Sequence, residues 1–266
     1  MSEEVDDLFS DLDRALESSS EVDKADKIDL SMKVTKDDAF SFLDEEGESF
    51  DDDVHVGMSL CVQPDDWPEI MVSGSSVNLV AVLVDDSGSM SGQAERELKM
   101  GLSLMIKELR SVVREMNKDT FLVIRGFKER YYAGDVMDLN ESQMMDLIRC
   151  NFNETPLYSA SKKLASNISS SEESLKARGI SVSVNVLIMT DGRPNREPAY
   201  SFSFDNSSEK MSYWKTSGLY IHTERGFGGF DFKEVFSRLG VKKMISANPS
   251  ELRRALYQFS RSVSAV

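Results

Sequence analysis

The chain has 266 residues, of which 40% are hydrophobic, so it is long enough for one or two domains with a substantial core. Its formal net charge of −15 argues against direct binding to the phosphate backbone of nucleic acids, which needs basic patches. Its two cysteines, Cys61 and Cys150, are too few for a disulfide framework or a metal–thiolate cluster.

The negative charge is concentrated at the N-terminus. Residues 1–57 hold 20 Asp and Glu against 5 Lys and Arg, whereas residues 58–266 hold 26 of each. Because the first segment is also poor in branched apolar residues, it is predicted to be a disordered acidic tail. Two apolar islands, residues 5–16 and 40–43, leave two interpretations open. They are incidental hydrophobes in a solvated tail, or segments that fold on binding a partner.

The N-terminus also bears on location. Its first residues are acidic, which is the wrong charge for a secretory or mitochondrial leader, and no apolar run in the chain approaches a membrane span. We therefore expect a cytoplasmic, reducing setting and no contact with a membrane.

Strands and helices alternate from residue 58 onward, as is typical of a mostly parallel α/β sheet. A short strand over 58–62 and a turn around Trp67 are expected to add an edge element. The other predicted strands cover residues 77–84, 120–127, 131–136, 182–189, 219–222 and 241–246. The predicted helices cover residues 92–116, 141–150, 156–177 and 231–239, with a last one that begins at Asn248, Pro249 and Glu251. The predicted fold of residues 58–266 is one α/β domain, a doubly wound, Rossmann-like sheet flanked by helices.

Three short polar motifs stand at the ends of these elements. Residues 85–90 read D-D-S-G-S-M after the first strand, residues 155–158 read T-P-L-Y before a helix, and residues 190–192 read T-D-G after the central strand. In an open α/β sheet, ligands collect outside the carboxyl ends of the strands. Five oxygen-bearing side chains can therefore converge there: Asp85, Ser87, Ser89, Thr155 and Asp191.

The donor types indicate which metal such a site would hold. Carboxylates and hydroxyls are hard oxygen ligands, suited to Mg²⁺, Mn²⁺ or Ca²⁺, and the motifs contain no imidazole or thiolate for zinc. Only two of the five donors carry a formal negative charge. The ion would therefore stay electrophilic and could accept one more anionic oxygen from outside.

The three motifs, in this order and at these separations, resemble the metal-ion-dependent adhesion site (MIDAS) of von Willebrand factor A (VWA) domains. The resemblance covers residues 72–266, and it is most similar to the intracellular VWA proteins of bacteria and phages, including the tellurite-resistance type. It implies that Ser87 and Ser89 touch the metal directly and that Thr155 does so when a partner's carboxylate is bound. Asp85 and Asp191 would act directly or through water.

The sequence departs from the family pattern at three places. Asn153 and Glu154 precede the threonine where glycine is common. Glu154 is expected to point to solvent, with crowding or supplementing the metal as the alternative. Asp86 is interpreted as a surface residue. The strand at 219–223 ends in polar and charged residues where small ones are usual, namely His222, Thr223, Glu224 and Arg225, so the partner's identity cannot be carried over from the family.

Other residues near the motifs have two possible roles each. Tyr213 and Trp214 are interpreted as packing anchors, with the rim of a binding face as the alternative. His222 is interpreted as a hydrogen-bonded strand-end residue instead of a metal ligand. The loop after the T-D-G motif, with Arg193, Arg196 and Glu197, is either part of a contact surface or ordinary solvated loop.

The predicted function is that of a divalent-metal-dependent protein–protein interaction module, an adaptor or scaffold that binds an acidic side chain of a protein partner. The alternative is a regulatory or substrate-selecting subunit of a separate AAA+ ATPase machine, since the chain itself has no Walker motif. An enzyme is not expected, because Ser87 lies outside any nucleophile elbow and the glycines at 226–229 lack the dinucleotide-binding pattern.

Overall fold

The computed structural model describes residues 67–116, 118–192, 194, 206–223 and 231–264. The acidic tail predicted over 1–57, the edge strand predicted over 58–62 and the arginines predicted to flank the T-D-G motif lie outside these residues.

The described residues form six strands and six α-helices. The strands are β1 (Ser76–Val84), β2 (Asp119–Gly126), β3 (Arg130–Asp135), β4 (Ser181–Thr190), β5 (Lys215–Ile221) and β6 (Lys243–Ala247). The α-helices are α1 (Gln93–Met116), α2 (Glu141–Leu147), α3 (Leu157–Ala177), α4 (Asn206–Tyr213), α5 (Phe232–Arg238) and α6 (Leu252–Ser264). None of the described helices is long and apolar enough to cross a membrane.

All six strands belong to one sheet, in the order β3-β2-β1-β4-β5-β6. Only β3 runs antiparallel to its neighbour; every other pair is parallel. The predicted doubly wound, mostly parallel α/β fold is confirmed. Since β1 and β4 are hydrogen-bonded neighbours at the centre of the sheet, their carboxyl ends lie side by side.

The central strand β1 separates two layers of core. Val80, Val82 and Val84 face one layer, which α1, α2 and α6 complete with residues such as Leu98, Met144 and Leu256. The residues that alternate with these valines along β1 face the other layer, which α3, α4 and α5 complete with residues such as Ile168, Met211 and Phe236. A strand buried on both faces must be apolar throughout, which explains the nearly continuous apolar run of β1.

Several predicted boundaries were wrong. Helix α2 ends at Leu147, three residues before the predicted Cys150, and β5 begins at Lys215, four residues before the predicted Leu219. Helix α4 was not predicted at all. At the C-terminus, Pro249–Glu251 form a 3₁₀ turn before α6, with the backbone N–H of Asn248 donating to the Glu251 carboxylate at 2.7 Å, as the capping pattern predicted.

Candidate metal centre

The candidate centre lies at the carboxyl ends of β1 and β4. Asp85 follows directly after β1, and Asp191 follows directly after β4. Because these strands are parallel neighbours, both aspartates reach the same edge of the sheet, and both are fully buried. The two carboxylates of the predicted site are therefore brought together by the topology.

The backbone after β1 folds tightly around the carboxylate of Asp85. One carboxylate oxygen, Oδ1, accepts the N–H of Ser87 at 2.9 Å. The other, Oδ2, accepts the hydroxyl of Thr190 at 2.7 Å and the N–H of Asp191 at 3.4 Å. Asp85 is thus held from both β1 and β4, and Thr190, the first residue of the T-D-G motif, is a contact that the sequence analysis did not single out.

The two serines of the first motif connect this loop to Asp191. The hydroxyl oxygens of Ser87 and Ser89 are 2.9 Å apart, and the hydroxyl of Ser89 donates to Oδ1 of Asp191 at 2.7 Å. Ser89 lies in the 3₁₀ turn Gly88–Met90, which turns its side chain back toward β4. A hydrogen-bonded chain from Ser87 through Ser89 to Asp191 results.

Thr155 reaches the same place by a different route. The segment between α2 and α3 is fastened to the first motif, since Gly88 N–H donates to the carbonyl of Phe152 at 2.8 Å and Phe152 N–H donates to that of Asp86 at 3.0 Å. Thr155 follows three residues later and is buried. A Cβ placed on Gly192 would lie 3.9 Å from the Thr155 hydroxyl oxygen, so that hydroxyl approaches the end of β4. The structure therefore brings all five predicted side chains to one end of the sheet.

Two buried carboxylates that lie beside each other disfavour each other's charge. Burial, followed by the charge of Asp191, raises the pKa of Asp85 to about 7, and burial also raises the pKa of Asp191. A bound cation would offset both effects. Its ligands would be two carboxylates and three hydroxyls, a set suited to Mg²⁺ or Mn²⁺. Among the described residues, no group of three or more His, Cys, Asp or Glu is placed to hold a metal ion.

The prediction that Asp86 is a surface residue is wrong. Its side chain is buried, 4% exposed, and turns away from Asp85 toward β2 and β3. There Oδ1 accepts the N–H of Phe127 at 3.2 Å and Oδ2 accepts the hydroxyl of Tyr131 at 2.8 Å. A Cβ on Gly126 would lie 2.2 Å from Oδ2, so glycine is needed for this approach. Asp86 joins the first motif to the turn between β2 and β3, a role that its place between two ligands in the sequence concealed.

A cavity of about 500 Å³ opens on this side of the motif. Its lining carries charges of both signs, with Asp86, Glu129 and Glu154 facing it together with Lys128 and Arg149. Glu154 is half-buried and lines this cavity.

The end of β5 contributes a contact that the sequence analysis missed. Thr223 donates its hydroxyl to Oδ2 of Asp191 at 2.5 Å. The neighbouring His222 behaves as predicted, since its Nε2 lies 2.5 Å from the Ser246 hydroxyl and its ring packs edge-on against Tyr220. No motif pointed to Thr223, because its role depends on the pairing of β5 with β4.

The two aromatic residues before β5, Tyr213 and Trp214, differ in burial. Trp214 is buried and donates its ring N–H to Glu172 at 2.8 Å, as a packing anchor would. Tyr213 is 75% exposed, so the packing interpretation is wrong for this residue.

The similarity of this chain to known proteins is a similarity of fold. No protein-family model matches the chain, and no curated protein matches it. The pilus adhesin SpaC from Lactobacillus rhamnosus GG matches with a TM-score of 0.50 and 12% identity, over 74% of this chain and 31% of the adhesin. The chain thus spans about a third of that protein's length.

Two further solved structures bear von Willebrand names. The vWF domain of the type V pili tip protein Mfa5 from Porphyromonas gingivalis matches with a TM-score of 0.47 and 10% identity, over 72% of this chain and 96% of that domain. The ArnB paralog VWA2 from Sulfolobus acidocaldarius matches with a TM-score of 0.42 and 21% identity, over 70% of this chain and 46% of that one.

Proposed function

We propose that this protein is a VWA domain that binds a divalent metal ion and, through it, a carboxylate of a protein partner. The observation that carries the proposal is the convergence of Asp85, Ser87, Ser89, Thr155 and Asp191 at the carboxyl ends of β1 and β4. The intracellular bacterial and phage branch of the family and a cytoplasmic setting are part of the proposal. They rest on the sequence motifs.

The hydrogen bonds support a role for hydroxyls as ligands. A hydroxyl can bind a cation through its lone pairs when its proton is donated elsewhere. Ser89 meets this condition, because its hydroxyl donates a hydrogen bond to Asp191. Asp191 thus serves the site by accepting that proton and by its own charge.

The balance of charge supports a binding role. Mg²⁺ or Mn²⁺ at this site would have two carboxylates and three neutral hydroxyls as ligands. The two negative charges of the carboxylates would balance the charge of the ion. When bound, the ion would supply a Lewis-acidic position for one more oxygen ligand. A carboxylate of a protein partner would supply that oxygen, with a negative charge. We expect a binding module without turnover of its own.

The test is a metal-dependent pull-down. The full chain is immobilised and exposed to a lysate of its source with Mg²⁺ or with a chelator, and the captured proteins are identified by mass spectrometry. We expect a partner that is retained only with Mg²⁺, is lost with Asp191→Ala, and is retained by Asp146→Ala, which changes an exposed aspartate on α2. The proposal would be overturned if the chain captured its partner as well with chelator as with Mg²⁺, and if Asp191→Ala captured it as well as the wild type.

The same experiment separates the two functional alternatives. An AAA+ ATPase among the metal-dependent partners would favour a regulatory or substrate-selecting subunit of an ATPase machine. Its absence, with another partner captured, would favour an adaptor or scaffold.

A further inference from the structure

Asp191 is held differently from Asp85. Its Oδ1 accepts the hydroxyl of Ser89 at 2.7 Å, and its Oδ2 accepts the hydroxyl of Thr223 at 2.5 Å. Both carboxylate oxygens are therefore engaged by side chains, one from the first motif and one from the end of β5. A carboxylate fixed at both oxygens cannot rotate about its Cβ–Cγ bond without losing a hydrogen bond.

We propose that Thr223 is a positioning residue of the metal centre, which orients Asp191 and thereby sets the affinity for the ion. The inference rests on the proposed metal site but adds a residue outside its three motifs. Thr223 acts through Asp191 and, through it, on the proton of Ser89. If Oδ2 lost its donor, the carboxylate could rotate and accept hydrogen bonds from water instead. The hydroxyl of Ser89 would then lose a fixed acceptor for its hydrogen bond.

Thr223 is itself anchored, so it can act as a fixed donor. The preceding residue, His222, donates its backbone N–H to the Ala247 carbonyl at 2.9 Å, which ties the end of β5 to β6. The backbone N–H of Thr223 is 3.1 Å from the carbonyl of Ile221. The position of the hydroxyl thus follows from the sheet and from the backbone contact between Ile221 and Thr223.

The test compares two substitutions at this position in the full chain. Thr223→Val keeps the shape of the side chain but removes the hydroxyl, whereas Thr223→Ser keeps the hydroxyl. The matched control is Thr216→Val at the opposite end of β5. There the hydroxyl donates to the Gly240 carbonyl at 3.1 Å and accepts the Lys242 N–H at 3.1 Å, far along the strand from the metal centre.

Mn²⁺ affinity is measured by calorimetry, and the environment of the bound ion by electron paramagnetic resonance. We expect Thr223→Val to bind Mn²⁺ on the order of tenfold more weakly, since hydrogen bonds to charged groups are among the stronger ones. Its Mn²⁺ spectrum should change as well. Thr223→Ser should stay within about twofold of the wild type, and Thr216→Val should melt earlier without a change in affinity, because its lost hydrogen bonds are structural.

The outcomes distinguish this inference from the proposed function. If the wild type binds Mn²⁺ and Thr223→Val binds it equally well with an unchanged spectrum, the positioning role is overturned and the metal site stands. Equal losses in Thr223→Val and Thr223→Ser would overturn the role of the hydroxyl. No binding by the wild type would overturn the metal site, and this inference with it.

Discussion

The first motif places two neighbouring aspartates on opposite sides of the end of β1. Asp85 turns toward β4, where its carboxylate accepts the hydroxyl of Thr190 and the backbone N–H of a second aspartate, Asp191. Asp86 turns toward β2 and β3, where it accepts a backbone N–H and the phenol of Tyr131. Both are buried acids with a raised pKa, and burial is the main cause for each.

The difference between them lies in what surrounds the charge. Asp86 is an acceptor among donors, as a structural carboxylate in a buried position should be. Asp85 shares its surroundings with a second carboxylate, which raises its pKa further and leaves a concentration of negative charge in a buried place. Burial alone therefore does not distinguish the two acids; the second carboxylate beside Asp85 does.

The largest effect is expected on the β4 side. Asp85→Ala should weaken Mn²⁺ binding by at least about 100-fold, because the substitution removes one of only two charged ligands. Titration calorimetry of the full chain measures this loss directly. Asp146→Ala, which removes an exposed aspartate on α2, should leave the affinity unchanged; a loss of the same size there would show that the binding is nonspecific.

A smaller effect of a different kind is expected on the β2 side. Asp86→Ala should lower the free energy of unfolding by about 2–4 kcal/mol, because it leaves the buried N–H of Phe127 and the half-buried hydroxyl of Tyr131 without their acceptor. Urea unfolding in metal-free buffer measures the change. The Mn²⁺ affinity of the folded variant should fall far less than that of Asp85→Ala.

Tyr131→Phe provides the control for this prediction. It removes one of the two hydrogen bonds and keeps the ring, so the loss should be about 1 kcal/mol. If Asp86→Ala unfolds like the wild type but loses Mn²⁺ as completely as Asp85→Ala, the separation of roles between the two sides is wrong.

The smallest effect is expected from the N-terminus. Deletion of residues 1–57 should leave the melting temperature of the remaining domain within about 2–4 °C of that of the full chain. This range corresponds to roughly 1 kcal/mol in a domain of this size. The reason is that no apolar periodicity in that segment predicts packing on a core. Circular dichroism of the truncated chain measures it, and failure of residues 58–266 to fold would show that the boundary is wrong.

The elements with strong apolar patterns were the ones that the sequence predicted well. The run of β1 and the repeat of Leu98, Leu102, Met105 and Leu109 in α1 locate these elements to within a residue. Helix α4 has no such signal, because Met211 is the one apolar side chain near its middle. The start of β5 reads Lys-Thr-Ser-Gly, in which a buried threonine and a glycine packed against Phe236 replace the usual apolar residues.

The candidate centre was predictable where local motifs carry it. Asp85, Ser87, Ser89, Thr155 and Asp191 stand in three short motifs at element boundaries, and the structure brings them together. The contribution of Thr223 depends on the pairing of β4 with β5, and the role of Asp86 depends on that of β1 with β2. Neither contact is local in sequence, which is why sequence patterns alone did not reveal them.

The proposed divalent ion binds among these five side chains. Crystals of the protein grown with Mn²⁺, measured at a wavelength where manganese scatters anomalously, would locate the ion. We expect an anomalous peak roughly 2–2.3 Å from the hydroxyl oxygens of Ser87 and Ser89, at the carboxyl ends of β1 and β4. No peak there, or a peak only at another place on the protein, would contradict the account.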